Sequence, residues 1–241
     1  MLSNDVEALA VGGSCEALLL TPKARVIAPL LVWRRGQEDF LLLTEPELGE
    51  AVRAHLLRMR LRARVEIEPE EHASAVVFGE AEGIPTHDYG EGAVEVLDAG
   101  VEPTIGAEEL ELRRIRAGTP RFGKEIDDRV LPAEAGLVER AVSFTKGCYP
   151  GQEPIARLHY RGHANRRLRV LRIDADEPPP QDSEIAFEGK PVGRVTSAVP
   201  EPDGGVLALG YVRVEVPPDA ELTVGEARVR ALTPPLPRAS A

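Results

Sequence analysis

The stretch Ser143-Phe-Thr-Lys-Gly-Cys-Tyr-Pro-Gly-Gln-Glu-Pro-Ile-Ala-Arg-Leu-His-Tyr-Arg-Gly162 divides the chain into two unlike parts. It carries one of the two cysteines, Cys148, close to Lys146, Tyr149, Gln152, Glu153 and Arg157. From Lys146 to Arg172 there are seven basic residues (Lys146, Arg157, Arg161, Arg166, Arg167, Arg169, Arg172) and one acidic residue, Glu153. The whole chain of 241 residues has a net charge of −11. A basic segment in an acidic chain reads either as a solvated face or as a site for an anion: a carboxylate, a phosphate or an RNA backbone.

Beyond residue 165, LRVLRI, SEIAFEG, PVGRVTSAV, GVLALGYVRVEV, ELTV and ARVRAL are short β segments separated by Pro, Gly and Asp turns. Six strands with no helical period predict a small antiparallel barrel or sandwich. Upstream, ALLLT, VIAPLLVW and DFLLLT read as strands, and so do VEIEP and SAVVFGE. A helix is expected after a Thr44–Glu47 capping box, with Leu48, Val52, Leu56 and Met59 on one face. A second is expected over Ala107–Ala117, ending at Gly118, and a third over Pro132–Arg140. Strands mixed with segregated helices give an α+β class. The expected division is an α+β body over 1–162, a barrel over 163–236 and a tail over 237–241.

The apolar run Ala28–Trp33 ends at Arg34, far short of a membrane span, and the N-terminus has no basic stretch followed by an apolar one. Two distant cysteines make neither a disulfide framework nor a metal-ligand spacing, so a reducing cytoplasmic setting and no resident metal are expected. Cys15 reads as structural. For Cys148, a small buried hydrophobe and a functional thiol both remain open; the flanking Gly147, Pro150 and Gly151 favour a turn that exposes it, and the ammonium of Lys146 favours a thiolate. His159 and His163 downstream do not by themselves make a cysteine–histidine hydrolase, and KGCYPG lacks the spacing of a phosphate-binding loop.

Lys146-Gly-Cys148-Tyr-Pro-Gly-Gln-Glu153, continued by Arg157 and Tyr160-Arg161-Gly162, resembles the signature of the YgfZ family of folate-binding proteins, relatives of the glycine-cleavage T-protein. Arg114-Ile115-x-Ala117-Gly118-x-Pro120, Gly123-x-Glu125, Pro132-x-Glu134-x-Gly136-Leu137, Val142-Ser143-Phe144, Gly193-x-Val195-Thr196-Ser197 and Leu209-Gly210-Tyr211-Val212 extend the resemblance over nearly the whole chain. It implies a T-protein-like body of ferredoxin-like subdomains followed by the barrel, with tetrahydrofolate or a derivative in a central hole. It also implies an accessory role in iron–sulfur cluster assembly or repair, including that of tRNA-modifying iron–sulfur enzymes. Cys148 would then be the reactive thiol, activated by Lys146. Arg157 would pair with the folate carboxylates, Tyr149 would offer a flat face to its rings, and Glu153 would fix the loop. Gly151, Gln152, Arg114 and Glu125 would complete the ligand-binding set.

Three departures accompany the resemblance. Ser3-Asn4-Asp5-Val6 matches a family segment normally preceded by a strand and a helix, so Met1 is expected to be an internal methionine. Ala28 and Pro29 stand where the aminomethyltransferases carry a pair of aspartates, which removes acid–base help there. Arg116 stands where a glutamate is usual. An aminomethyltransferase activity is therefore the alternative, and direct RNA binding through the basic segment is a third reading, against which ten Phe, Trp and Tyr in all leave little surface for stacking single strands. The expected partners are folate and iron–sulfur enzymes or assembly proteins, with no membrane.

Overall fold

The computed structural model describes residues 1–90 and 92–232. The expected tail, 237–241, and the last residues of the expected barrel segment lie outside them.

The strand β1 (Ser14–Leu20) pairs antiparallel with β2 (Val26–Arg34), which pairs with β3 (Phe40–Leu43). Ala17–Leu20 are each 1% exposed because β1 is covered on both faces, which is why this stretch is an unbroken apolar run rather than an alternating one. One face, with Ala17, Leu19, Ala28 and Leu30, packs under Val52 and Leu56 of α1 (Gly49–Met59). The other, with Leu18 and Leu20, packs with Tyr149, Ile155, Ile126 and Val130.

Helix α1 forms where expected, but without the capping box. Pro46–Leu48 make a 3₁₀ turn ahead of it, no side chain caps either segment, and the Thr44 hydroxyl donates instead to the carbonyl of Pro29 at 2.9 Å. VEIEP is not a strand: residues 63–73 have neither helix nor strand. This segment is pinned by side chains. Arg35 forks onto Glu70 at 2.8 and 2.9 Å, and the His72 ring bridges Glu70 and Asp98 at 3.0 and 2.7 Å. A second sheet follows in the order β4 (Ser74–Phe78), β6 (Ala93–Leu97), β5 (Ile84–Thr86). Helix α2 (Ala107–Ala117) ends at Gly118 as its sequence predicts. The helix expected over Pro132–Arg140 is reduced to α3, Val138–Ala141, because turns fill 132–136 and Gly136 takes φ +73°, which a helix does not allow.

The C-terminal strands β7 (Arg166–Ile173), β8 (Glu184–Phe187), β9 (Lys190–Pro200), β10 (Val206–Arg213), β11 (Leu222–Val224) and β12 (Ala227–Leu232) close an antiparallel barrel in the order β10-β7-β12-β11-β8-β9. Leu171, Ile173, Ile185, Val195, Ala208 and Val229 fill its interior. Strand β10 is buried on its outer face too: Leu207 and Leu209 pack with Leu112 and Ile115 of α2, and Tyr211 joins the core around Tyr149. Gly193 permits this close pairing, since a Cβ there would lie 2.0 Å from the carbonyl oxygen of Tyr211.

The body and barrel are riveted by Glu125. Its carboxylate, fully buried, accepts from Ser197 Oγ at 2.6 Å, from Arg114 Nη1 at 3.1 Å and from the backbone N–H of Arg121 at 3.0 Å. Its backbone carbonyl accepts from the Tyr211 hydroxyl at 3.0 Å. Arg114, 2% exposed, also reaches the Thr119 carbonyl, Ser197 Oγ and both oxygens of Glu111. Burial opposes the charge on Glu111, but Arg114, Lys124 and Arg121 outweigh it and hold that carboxyl down at about 2. Arg114 and Glu125 were expected to hold ligand. Both are buried, at 2% and 0% exposure, and the bonds above make them a clamp between body and barrel.

Candidate functional site

The loop from Ser143 to Gly151 is held at three points, and what it holds out is Cys148. At its start, Lys146 Nζ donates to the carbonyls of Leu2 and Asn4, both at 2.9 Å, tying down the N-terminal segment. That segment is itself locked: Ser3 Oγ donates to Ala141 O at 2.6 Å and accepts from Leu18 N at 2.7 Å. In the middle, Tyr149 is 6% exposed in the core with Leu18, Leu20 and Ala24. At the end, Gly151 takes φ +82° and leads into α4 (Gln152–Arg161). A Cβ on Gly151 would lie 2.7 Å from the carbonyl oxygen of Thr21 in the β1–β2 turn, so only glycine lets α4 start this close to the sheet. Between these anchors Gly147 and Cys148 are exposed.

The third anchor gives a prediction. Gly151→Ala combines a left-handed φ with a backbone clash, and the conformation alone costs about 1–3 kcal/mol. A urea-unfolding midpoint should therefore fall clearly, and an unchanged midpoint would show that the close approach is not rigid.

Helix α4 was not anticipated from the sequence. Gly147, Pro150 and Gly151 mask its start, and Ile155 is the one buried residue along it. The helix nonetheless decides the site, because its first turns form one wall of a cleft of about 380 Å³ lined by Pro22, Tyr149, Gly151, Gln152, Glu153, Pro154 and Arg157. Five of the residues singled out in the sequence thus meet at one cleft beside the Cys148 loop. Arg157 is exposed and makes no ion pair among the described residues, and neither does Glu153. The Tyr149 hydroxyl is buried without a hydrogen-bond partner among the described residues, and burial pushes its ionisation above the ordinary phenol value.

Three expected roles change. Tyr149 does not present an open ring face; its ring is core, and its hydroxyl is the polar feature. Glu153 does not fix the loop, since it makes no hydrogen bond among the described residues; Lys146 and Gly151 do that work. Lys146 spends its ammonium on two carbonyls rather than on the thiol. The other cysteine, Cys15 on β1, is half-buried, and burial with the nearby charges of Glu16 and Asp5 pushes its thiol up to about 11.

The basic segment is also dispersed. Arg166 pairs with Glu134 at 3.2 Å and lies over the Tyr211 ring at 4.8 Å, Arg169 donates to the Val216 carbonyl and Arg172 pairs with Glu201 at 3.5 Å. Ala28 is fully buried in β2, and the exposed Arg116 pairs with Glu201 at 3.3 Å. Sequence reasoning missed the half-buried Arg140, which binds both Glu16 and Asp88 and ties α3 to β1 and to the loop after β5. Among the described residues no helix is long and apolar enough to cross a membrane, and no cluster of His, Cys, Asp and Glu has the arrangement of a metal site.

Residues 166–238 match the family model for the CAF17 C-terminal beta-barrel domain. The chain is 27% identical over 211 residues to an uncharacterized protein of Haemophilus influenzae, an alignment covering 82% of this chain and 75% of that protein. It is 34% identical over 129 residues to the tRNA-modifying protein YgfZ of Edwardsiella ictaluri, covering 51% of this chain and 39% of the relative, so the matched part spans about two fifths of that relative's length. The fold superposes on the crystal structure of the glycine cleavage system aminomethyltransferase T from Bartonella henselae with a TM-score of 0.80, at 20% identity, covering 98% of this chain and 78% of the other.

Proposed function

The chain belongs to the YgfZ family of the aminomethyltransferase-like superfamily, and from that premise we propose that it binds tetrahydrofolate in the cleft beside Cys148 and supports the assembly or repair of iron–sulfur clusters. The observation that carries the reading is the cleft itself, whose lining brings together Arg157, without an ion pair among the described residues, and Tyr149, whose neighbour in the chain is the exposed Cys148. About 380 Å³ suits the ring portion of a folate, whose remainder would extend into solvent.

The residues fit such a ligand. The planar fork of Arg157 matches a carboxylate bidentately, which an ammonium does not. The Tyr149 hydroxyl has a hydrogen bond to give, and satisfying it removes the cost of an unpaired buried group. Gly151 brings backbone to the cleft floor with no side chain in the way. When bound, tetrahydrofolate supplies a reduced pterin able to carry one-carbon groups. A single exposed cysteine offers one of the several thiolates that an iron–sulfur cluster needs, so any contact of Cys148 with a cluster is shared with a partner protein.

An aminomethyltransferase reading draws on the shared fold. Against it, Ala28 is a buried methyl and Pro29 has no side-chain donor or acceptor, so the aspartate positions hold nothing able to move a proton. The test is calorimetric titration with tetrahydrofolate of the unaltered chain and of Arg157→Ala. Losing a charge-assisted pair weakens binding about ten- to a hundredfold. Equal affinities would remove Arg157, and with it this cleft, from the folate site.

A further inference from the structure

Beyond the cleft, the same region carries an aromatic cluster that the core engages only through Phe144 and that the folate reading does not use. The rings of Phe144 and His159 lie face to face, with centroids 4.2 Å apart and 24° between planes. Tyr160 stands edge-on to both, at 5.7 and 4.8 Å. Phe144 packs against the core, whereas Tyr160 is 68% exposed and His159 is exposed. The stack begins on buried apolar residues and ends in solvent. One face of His159 is taken by Phe144, so its exposure lies on its remaining face and edges, with Tyr160 as an upright wall beside it. Floor and wall together form a corner shaped for one more flat ring. Helix α4 needs none of this to pack, being anchored by Ile155.

We propose that this corner is a stacking platform for an unpaired base of single-stranded RNA, with Arg161, His163 and Arg167 meeting the adjoining phosphates. Charge selects the partner. The chain as a whole carries −11, yet Arg161 and Arg167 are exposed and make no ion pair among the described residues. A polyanion repelled elsewhere on the molecule is accepted here. Stacking on aromatic side chains beside arginines is how single strands are gripped. In a duplex the bases are already stacked and do not offer a free face, so a paired strand does not fit the corner. Folate does not fit both halves either, because its aminobenzoyl bridge sets the ring well away from the carboxylates. Tyr160 and Arg161 are adjacent residues, and phosphates lie next to their own bases.

The dispersal of the basic segment sets the expected strength. Lys146, Arg166, Arg169 and Arg172 are committed to protein partners. Arg157 belongs to the cleft. Two full cations of the segment, Arg161 and Arg167, remain without an ion pair among the described residues. With about −0.7 per phosphate neutralised on a single strand, the slope of log K against log salt comes to about −1.4, where all seven basic residues would give about −5. The platform does not depend on folate binding, since Arg161 and His163 do not line the cleft.

The test is fluorescence anisotropy with a labelled single-stranded RNA of about twelve nucleotides, using the intact chain at low salt. The same sequence annealed to its complement is the comparison. Saturable binding to the single strand is expected, weaker binding to the duplex, and a slope near −1.4. Tyr160→Ala should weaken binding about five- to a hundredfold, while Tyr160→Phe retains it and neither changes the melting temperature of so exposed a position. Absence of saturable binding, equal affinity for the duplex, or Tyr160→Ala binding as tightly as the unaltered chain would each overturn the proposal.

Discussion

Replacing Glu125 with alanine should cost about 3–5 kcal/mol, the range found when one partner of a buried charge pair is removed. Glu125 is fully buried, and its three carboxylate contacts come from three separate places: α2, the turn at Arg121 and strand β9 of the barrel. Removing it strips Arg114 of one of two acidic partners in a site that is 2% exposed, and it leaves the Arg121 N–H and the Ser197 hydroxyl without an acceptor. Many domains are stable by only 5–15 kcal/mol, so a loss of this size is a large share of the total. It also falls on the junction, and the expected denaturation profile separates into two transitions, with the body and barrel no longer melting together. Ser197→Ala removes one of these bonds and should cost about 1–2 kcal/mol, with the two effects less than additive because they share a partner. A Glu125→Ala protein that melts once, within about 1 kcal/mol of the original, would show that the clamp is not what joins the two parts.

The second large effect is functional. Cys148→Ala should leave stability within about 0.5 kcal/mol, as exposed substitutions do, while abolishing the proposed support of iron–sulfur enzymes. The thiol lies outside every hydrophobic cluster, and the braces of its loop are Lys146, Tyr149 and Gly151, none of which the substitution touches. Folate affinity should be nearly unchanged, since the cleft lining does not include Cys148. Activity of iron–sulfur enzymes, measured in cells whose only copy carries the change, should fall to the level of cells with none. Full activity there would contradict the role given to the thiol, whatever the folate result.

What the sequence made legible follows from how local each feature is. Strands β7–β12 were readable because alternation, turn residues and spacing are local, and so was the end of α2 at Gly118. The motif around Cys148 located the cleft for the same reason: Tyr149, Gly151, Gln152, Glu153 and Arg157 are neighbours in the chain and remain neighbours in space. What misled was the choice between partners. Thr44 and Glu47 have the spacing of a capping box, but the Pro29 carbonyl on the adjacent strand takes the Thr44 hydroxyl instead. Lys146 sits two residues from Cys148 and bonds to carbonyls 144 and 142 residues away. Arg114 and Glu125 meet Ser197 of β9, a pairing across 83 and 72 residues that no local pattern announces. Tyr149 reads as a ring for stacking, whereas the core claims the ring and leaves the hydroxyl. The aromatic corner escaped notice because Phe144 is separated from His159 by the whole motif.

The central claim is that folate binds beside the loop that carries the thiol, and alkylation of Cys148 measures it directly. At mildly alkaline pH, iodoacetamide should modify Cys148 selectively, because the half-buried Cys15, with its thiol pushed up to about 11, stays protonated and slow. The account predicts that tetrahydrofolate slows this alkylation in a saturable way, with half-protection at the concentration that half-saturates binding by calorimetry. An alkylation rate that stays constant while calorimetry shows the chain to be saturated would place folate elsewhere and contradict the account.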